Sequence, residues 1–137
     1  MTDLQTAKNN LEGHTICLCK NGKCLYSNKK GISPMMDFIE SDVDLKGYSA
    51  ADLIVGKAAA ILFIKSGIIK VFAKTLSLNG KNTLEKYGII YEYETLTEKI
   101  INRDGTDICP MEKAVMEIDD IEKSYQVLKS KLKELSR

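Results

Sequence analysis

Long apolar runs are missing from this sequence. The longest, residues 58–64, falls far short of the ~20 residues that a membrane-spanning helix needs. Residues 1–13 are polar and carry Asp3 and Glu12, so they do not read as a secretory leader. No C-terminal lipidation box is visible. An imbalance of charge is missing too: 20 basic residues face 19 acidic ones, for a net charge of +1. That balance removes any global electrostatic drive toward nucleic acid or a membrane surface. There is one histidine, His14, and there is neither an internal repeat nor a low-complexity linker. These absences leave a cytoplasmic globular chain as the expectation. The content of 44% apolar and 28% charged residues agrees with it. The length, 137 residues, suits a single domain over 1–137.

What is present is punctuation. Residues 14–20 alternate with a period of two, Asn21-Gly22 supplies a two-residue hairpin turn, and 24–28 form the return strand. Ser33-Pro34 opens a helix that runs to about Ser41. A polar connector with Gly47 follows. Residues 50–66 read as helical, with Gly56 as a point where the helix can break. Within them, 57–64 are apolar all round apart from Lys57, which predicts a buried helix stopped by Gly67. Residues 71–75 and 89–94 read as strands, with a helix over 79–87 between them. Residues 97–101 read as a helical turn, and Pro110 opens another helix. Residues 1–12 read as a frayed arm or a short polar helix. In the tail, Ile118, Ile121, Tyr125, Leu128, Leu132 and Leu135 recur at steps of three and four. That stripe fits a helix packed on its own sheet or one that recruits a partner.

A hairpin followed by alternating helices and strands predicts an α/β fold with a mixed sheet and helices on both faces. Ligands in such folds sit beyond the carboxyl ends of the strands. That edge collects the loops after Thr75 and Glu94 and the start of the buried helix.

The hairpin register pairs Lys20 with Lys23 and Cys19 with Cys24, which puts Cys17, Cys19 and Cys24 on one face. His14 falls on the other face by parity, and no acidic residue completes a metal set. In a reducing compartment these cysteines are expected to be core residues and not disulfides. No metal and no cofactor is expected, and chelation should leave the melting temperature unchanged.

Two polar features stand out. Lys57 follows Gly56 at a helix start, where exposed N–H groups attract anions. Asp52 or Asp104 are its candidate counter-ions. The other feature is the turn Asn102-Arg103-Asp104-Gly105-Thr106 leading to Cys109-Pro110. It gathers an amide, a guanidinium, a carboxylate, a hydroxyl and a thiol. Cys109 lies at a helix start, where the dipole lowers a thiol's pKa, and Glu112 falls in the first turn. Arg103 can hold a phosphate or carboxylate through two hydrogen bonds.

Several stretches carry a family likeness. They are Ala51-Asp52 with Val55-Gly56-Lys57-Ala58-Ala59-Ala60, then Leu84-Glu85-Lys86-Tyr87-Gly88-Ile89, and finally Asn102 to Thr106 with Cys109-Pro110-Met111-Glu112-Lys113-Ala114-Val115. Together they closely resemble the prokaryotic domain-of-unknown-function family 1893, which has a cytidine-deaminase-like fold. The likeness spans about residues 14–117 and leaves the C-terminal helix, 118–137, outside it. It implies a three-layer α/β/α sandwich, in agreement with the element order. A zinc deaminase needs a His or Cys with a Glu two residues later, and a Pro-Cys-x-x-Cys at a second helix start. The matching positions are Gly56-Lys57-Ala58-Ala59 and Ser77-Leu78-Asn79-Gly80-Lys81. Neither holds a ligand or an acid, so a zinc-dependent deaminase is the third-ranked reading and the resemblance does not carry deamination.

Two readings stay open. In the first, a nucleotide or related phosphorylated small molecule binds in the degenerate deaminase pocket. Asp52, Gly56, Lys57, Asn102, Arg103, Gly105 and Thr106 bind it, and Cys109, Glu112 and Asp104 are the candidate catalytic groups. In the second, the chain is a non-catalytic interaction module that uses the C-terminal helix. A homo-oligomer is expected, without membrane or nucleic-acid partners.

Overall fold

Asn21 and Gly22 adopt φ of 50° and 81°, the left-handed pair that a two-residue hairpin turn requires. They join β1 (Ile16–Lys20) to β2 (Lys23–Ser27) in antiparallel register, with Cys19 opposite Cys24 and Lys20 opposite Lys23. In this computed structural model residues 1–101, 105 and 107–135 are described. The other elements are α1 (Asp3–Asn9), α2 (Ser33–Glu40), β3 (Ser49–Val55), α3 (Lys57–Ser66), β4 (Lys70–Ser77), α4 (Leu78–Lys86), β5 (Ile90–Thr97), α5 (Pro110–Val115) and α6 (Ile121–Leu135).

The five strands form one sheet in the order β2-β1-β3-β4-β5. β1 is antiparallel to β2 and β3, while β3, β4 and β5 are parallel. The sheet is therefore mixed, and helices cover both of its faces. On one face Ile16, Leu18, Ala50, Val71 and Ala73 join the main core with residues of α2, α3, α4, α5 and α6. On the other, Leu4, Ala7 and Leu11 pack on Cys17, Cys19, Ala51 and Phe72. This is the α/β three-layer architecture that the sequence predicts.

Among the described residues, the N-terminal segment supplies the second helical layer. Thr2 and Gln5 close a reciprocal cap at the start of α1. The Lys8 ammonium lies 4.6 Å from the Phe72 ring centroid and pairs with Glu92 at 3.0 Å. Burying Leu4 and Leu11 contributes roughly 2 kcal/mol each. That offsets the cost of ordering a helix too short to form alone.

The structure differs from the sequence reading at two points along the backbone. Residues 50–55 are not the first turns of a helix; they belong to β3, the central strand. Ala50 and Ala51 are fully buried, one in each core. A strand covered on both faces shows no alternation, and its small residues mimic a helix former. The possible break at Gly56 is real, because only 57–66 are helical. Residues 97–101 are not a helical turn: β5 continues to Thr97, and Ile101 forms an isolated bridge with Ile108. Pairing with β4 extends β5 beyond what its own polar sequence suggests.

The tail stripe is packed within the chain. Tyr125 and Leu128 are buried in the main core, with Ile121 and Leu132 against it, and Leu135 is exposed. α6 lies on α3 and α5. Among the described residues no helix is long and apolar enough to cross a membrane.

The cysteines require a correction. Cys17, Cys19 and Cys24 share one face as the register predicts, with their sulfurs within 4.8 Å of one another. Cys19 and Cys24, however, are joined by a disulfide, against the reduced thiols that a reducing compartment predicts. The pairing follows from the register, which sets the two Cα atoms 4.2 Å apart.

Candidate functional site

β3 and β4 are parallel, so both deliver the chain to a helix at the same edge of the sheet. The two helix starts solve the same problem differently, because the first N–H groups of any helix lack an intrahelical acceptor. At α4 the cap is local: Ser77 Oγ accepts from Gly80 N at 2.9 Å. At α3 the cap position is Gly56, which has no side chain to offer. The acceptor comes instead from α5. Glu112 Oε1 accepts from Lys57 N and Oε2 from Ala58 N, each at 2.8 Å.

Glu112 therefore occupies the anion position at the start of α3, where the helix dipole favours negative charge. Its side chain is buried. Burial raises its pKa, while the amides of Ala58 and Lys57 and the charge of Lys57 pull it back down. Gly56 makes the arrangement possible, since a Cβ there would lie 2.0 Å from Glu112 Oε1. Gly80 completes it: a Cβ on Gly80 would lie 3.0 Å from the Gly56 carbonyl carbon, so the two helix starts meet backbone to backbone. Gly80→Ala is expected to lower stability by about 1–3 kcal/mol, because backbone cannot give way as a side-chain end can. Thermal unfolding of the variant measures this, and an unchanged melting temperature would contradict the contact.

The structure places the sequence-predicted residues as follows. Gly56, Lys57 and Glu112 come together at this edge. Lys57 lines the open cleft described below, but its ammonium is tied back onto the chain. Its Nζ donates to Met116 O at 3.1 Å and lies 4.0 Å from Asp119 Oδ1. It thus caps the C-terminal end of α5, and its counter-ion is Asp119 rather than Asp52. Asp52 is buried inside β3, where its Oδ1 accepts from Ile54 N at 3.4 Å. Burial pushes its pKa up to about 7, against the lowering effect of the Ile54 and Leu53 amides. Cys109 is the N-cap residue of α5, half-buried, and packs against the main core. Its N–H donates to Ile100 O at 2.9 Å. Gly105 is exposed with φ of 71°. Asn102, Arg103, Asp104 and Thr106 lie outside the described residues.

Beside the closed helix start lies an open cleft of about 190 Å³. Its walls are α3 (Lys57, Ile61), α4 (Asn79, Asn82, Thr83, Lys86), Tyr87, and the α5–α6 connector with Ile121 (Ile118, Asp119, Ile121). Tyr87 OH donates to Asp119 O at 3.2 Å and ties α4 to that connector. The Thr83 hydroxyl is used within the helix, on Asn79 O. The side-chain amides of Asn79 and Asn82 make no hydrogen bond among the described residues. The Lys86 ammonium lies 5.7 Å from the Tyr87 ring. The sequence reading did not single out this set. Its signal was available: Asn79, Asn82 and Lys86 recur at steps of three and four, so they share one helix face.

Comparisons with known proteins agree with this architecture. The sequence pattern of the family described as Domain of unknown function (DUF1893) matches residues 6–132. The chain is similar to the crystal structure of a DUF1893 family protein from Thermotoga maritima. Identity is 26% over 96% of this chain and 91% of that one, with a TM-score of 0.87. A dCMP deaminase from the cyanophage S-TIM5 is similar at 14% identity over 66% of this chain and 92% of that chain, with a TM-score of 0.46. A diaminohydroxyphosphoribosylaminopyrimidine deaminase/5-amino-6-(5-phosphoribosylamino)uracil reductase from Thermotoga maritima is similar at 16% identity over 66% of this chain and 35% of that one, with a TM-score of 0.48. Among curated proteins no sequence matches the chain.

Proposed function

The chain belongs to the DUF1893 family of domains of unknown function, and from that premise we propose that it binds a nucleotide or related phosphorylated small molecule in the cleft between α3 and α4. The observation that carries this reading is the donor face of α4. Asn79, Asn82 and Lys86 line the cleft, and the two amides have no partner among the described residues. Two amides and an ammonium suit the several oxygens of a phosphate group. The exposed ring of Tyr87 offers an aromatic surface beside them, on which a base can stack.

The start of α3 is not the anion subsite in this reading, because Glu112 fills it. Glu112 and Lys57 are positioning residues that fix α3 against α5. No reaction is assigned, and the positions at which a zinc deaminase would hold its metal, Gly56 to Ala59 and Ser77 to Lys81, offer no ligand set of Cys or His. Packing of Tyr125 and Leu128 within the chain favours this reading over an interaction module built on the C-terminal helix.

Titration calorimetry with nucleoside monophosphates and sugar phosphates tests the proposal. Wild-type protein should bind at least one of them. Lys86→Glu, which reverses the charge at the cleft mouth, should weaken that binding by about tenfold or more, the worth of one hydrogen bond to a charged group. Wild-type protein that binds none at millimolar concentration, or a Lys86→Glu variant that binds equally well, would sink it.

A further inference from the structure

The second core contains chemistry that the cleft does not use. The Cys19–Cys24 bond lies directly beside a third sulfur: Cys17 Sγ is 3.6 Å from Cys19 Sγ. Cys17 and Cys19 are fully buried, while Cys24 is half-buried on the outer strand β2. Solvent contact in this group of three therefore belongs to Cys24.

We propose that the Cys19–Cys24 bond is a thiol–disulfide exchange site for small thiols, entered at Cys24, with Cys17 as hydrogen-bond donor to the departing sulfur of Cys19. The inference is independent of the cleft. Exchange proceeds by attack of a thiolate on one sulfur and departure of the other. An incoming R–S⁻ forms a bond to Cys24 Sγ. The Cys19–Cys24 bond breaks, and its electron pair leaves on Cys19 Sγ. A second R–S⁻ attacks the R–S–S–Cys24 mixed disulfide, releasing R–S–S–R and the Cys24 thiolate. The two cysteines then take up two protons, so the protein gains two electrons and two thiols become one small disulfide. The reverse sequence, with R–S–S–R as oxidant, closes the bond.

Access selects the point of attack, because Cys24 alone of the three is partly exposed. Departure is the harder step, since a thiolate at Cys19 would form among Leu4, Ala7 and Phe72, and burial disfavours the charged form. Cys17 answers that difficulty. While Cys19 is bonded to Cys24 it has no proton, so in the 3.6 Å contact Cys17 is the donor. Its thiol stays protonated, since burial pushes its pKa up to about 11. It is placed to stabilise the leaving sulfur rather than to attack.

The experiment treats full-length oxidised protein with reduced glutathione, quenches in acid at intervals, alkylates free thiols and maps peptides after trypsin cleavage. Lys20 and Lys23 separate Cys24 from Cys17 and Cys19. The first glutathione adduct should fall on the Cys24 peptide. Cys17→Ala should open about tenfold more slowly, the factor for losing one hydrogen bond to a charged group, and Cys17→Ser, which keeps a donor, should recover most of the rate. An adduct on the peptide holding Cys17 and Cys19, or a bond that excess glutathione leaves closed, overturns the proposal. Cys17→Ala that opens at the wild-type rate overturns the role of Cys17. The adduct position is read on the wild-type chain, so it decides the point of attack even if a Cys17 variant fails to fold.

Discussion

Glu112→Ala should lose about 3 kcal/mol of stability, and formate should return part of it. The side chain makes two bonds to the start of α3, through Lys57 N and Ala58 N. Removing it leaves both amides without an acceptor, and Ala58 is 2% exposed. An unsatisfied buried donor costs about 1–3 kcal/mol, and water entering the vacated space returns some of that. The residual site is the dipole end of a helix with two free N–H groups, which a small carboxylate can fill. Glu112→Gln keeps one acceptor oxygen and should lose about half as much. Urea denaturation in matched chloride and formate buffers measures both effects. A loss under about 1 kcal/mol for the alanine variant, or formate stabilising wild type as much as the variant, would show that Glu112 is not the cap.

Asp52→Asn should do the opposite and stabilise the protein, increasingly as pH rises above about 4. The carboxyl of Asp52 has a pKa of about 7 in the fold against an ordinary value of 3.8. A raised carboxyl pKa means that the folded state binds the proton more tightly than the unfolded chain. Stability tied to that proton is fully present below about pH 4, falls as pH rises toward about 7, and is constant above it. The difference corresponds to a penalty on the order of 4 kcal/mol at pH 8. Asparagine carries no charge and accepts from Ile54 N as the acid does, so most of that penalty should vanish. The gain in melting temperature should be large at pH 8 and absent at pH 4. Equal effects at both pH values would show that Asp52 is not held as an acid by burial.

The parts of the fold that were legible in the sequence are those whose chemistry is local. Asn21-Gly22 can take positive φ, Gly67 can close α3 in the left-handed region, and the tail stripe has one helical period. What could not be read depends on distant partners. β3 is a strand because α1 covers one side of it and α3 the other, and nothing in Ser49–Val55 announces either helix. Glu112 caps a helix 55 residues earlier in the chain. The hint lay at the other end, where Gly56 opens a helix without any capping side chain. The sequence places Lys57 at a helix start but not the contact its ammonium makes with Met116 O, 59 residues on. The donors of α4 could have been found from spacing alone.

The central claim is that a phosphorylated ligand binds along the donor face of α4, beside a helix start that Glu112 keeps closed. Amide chemical-shift mapping during titration with a nucleoside monophosphate tests it most directly. Shifts should concentrate at Asn79, Asn82, Thr83, Lys86, Tyr87 and Asp119, with Lys57 and Ala58 keeping the downfield signature of amides bonded to a carboxylate. Shifts centred on Lys57 and Ala58 as Glu112 is displaced, or no shifts at all, would contradict the account.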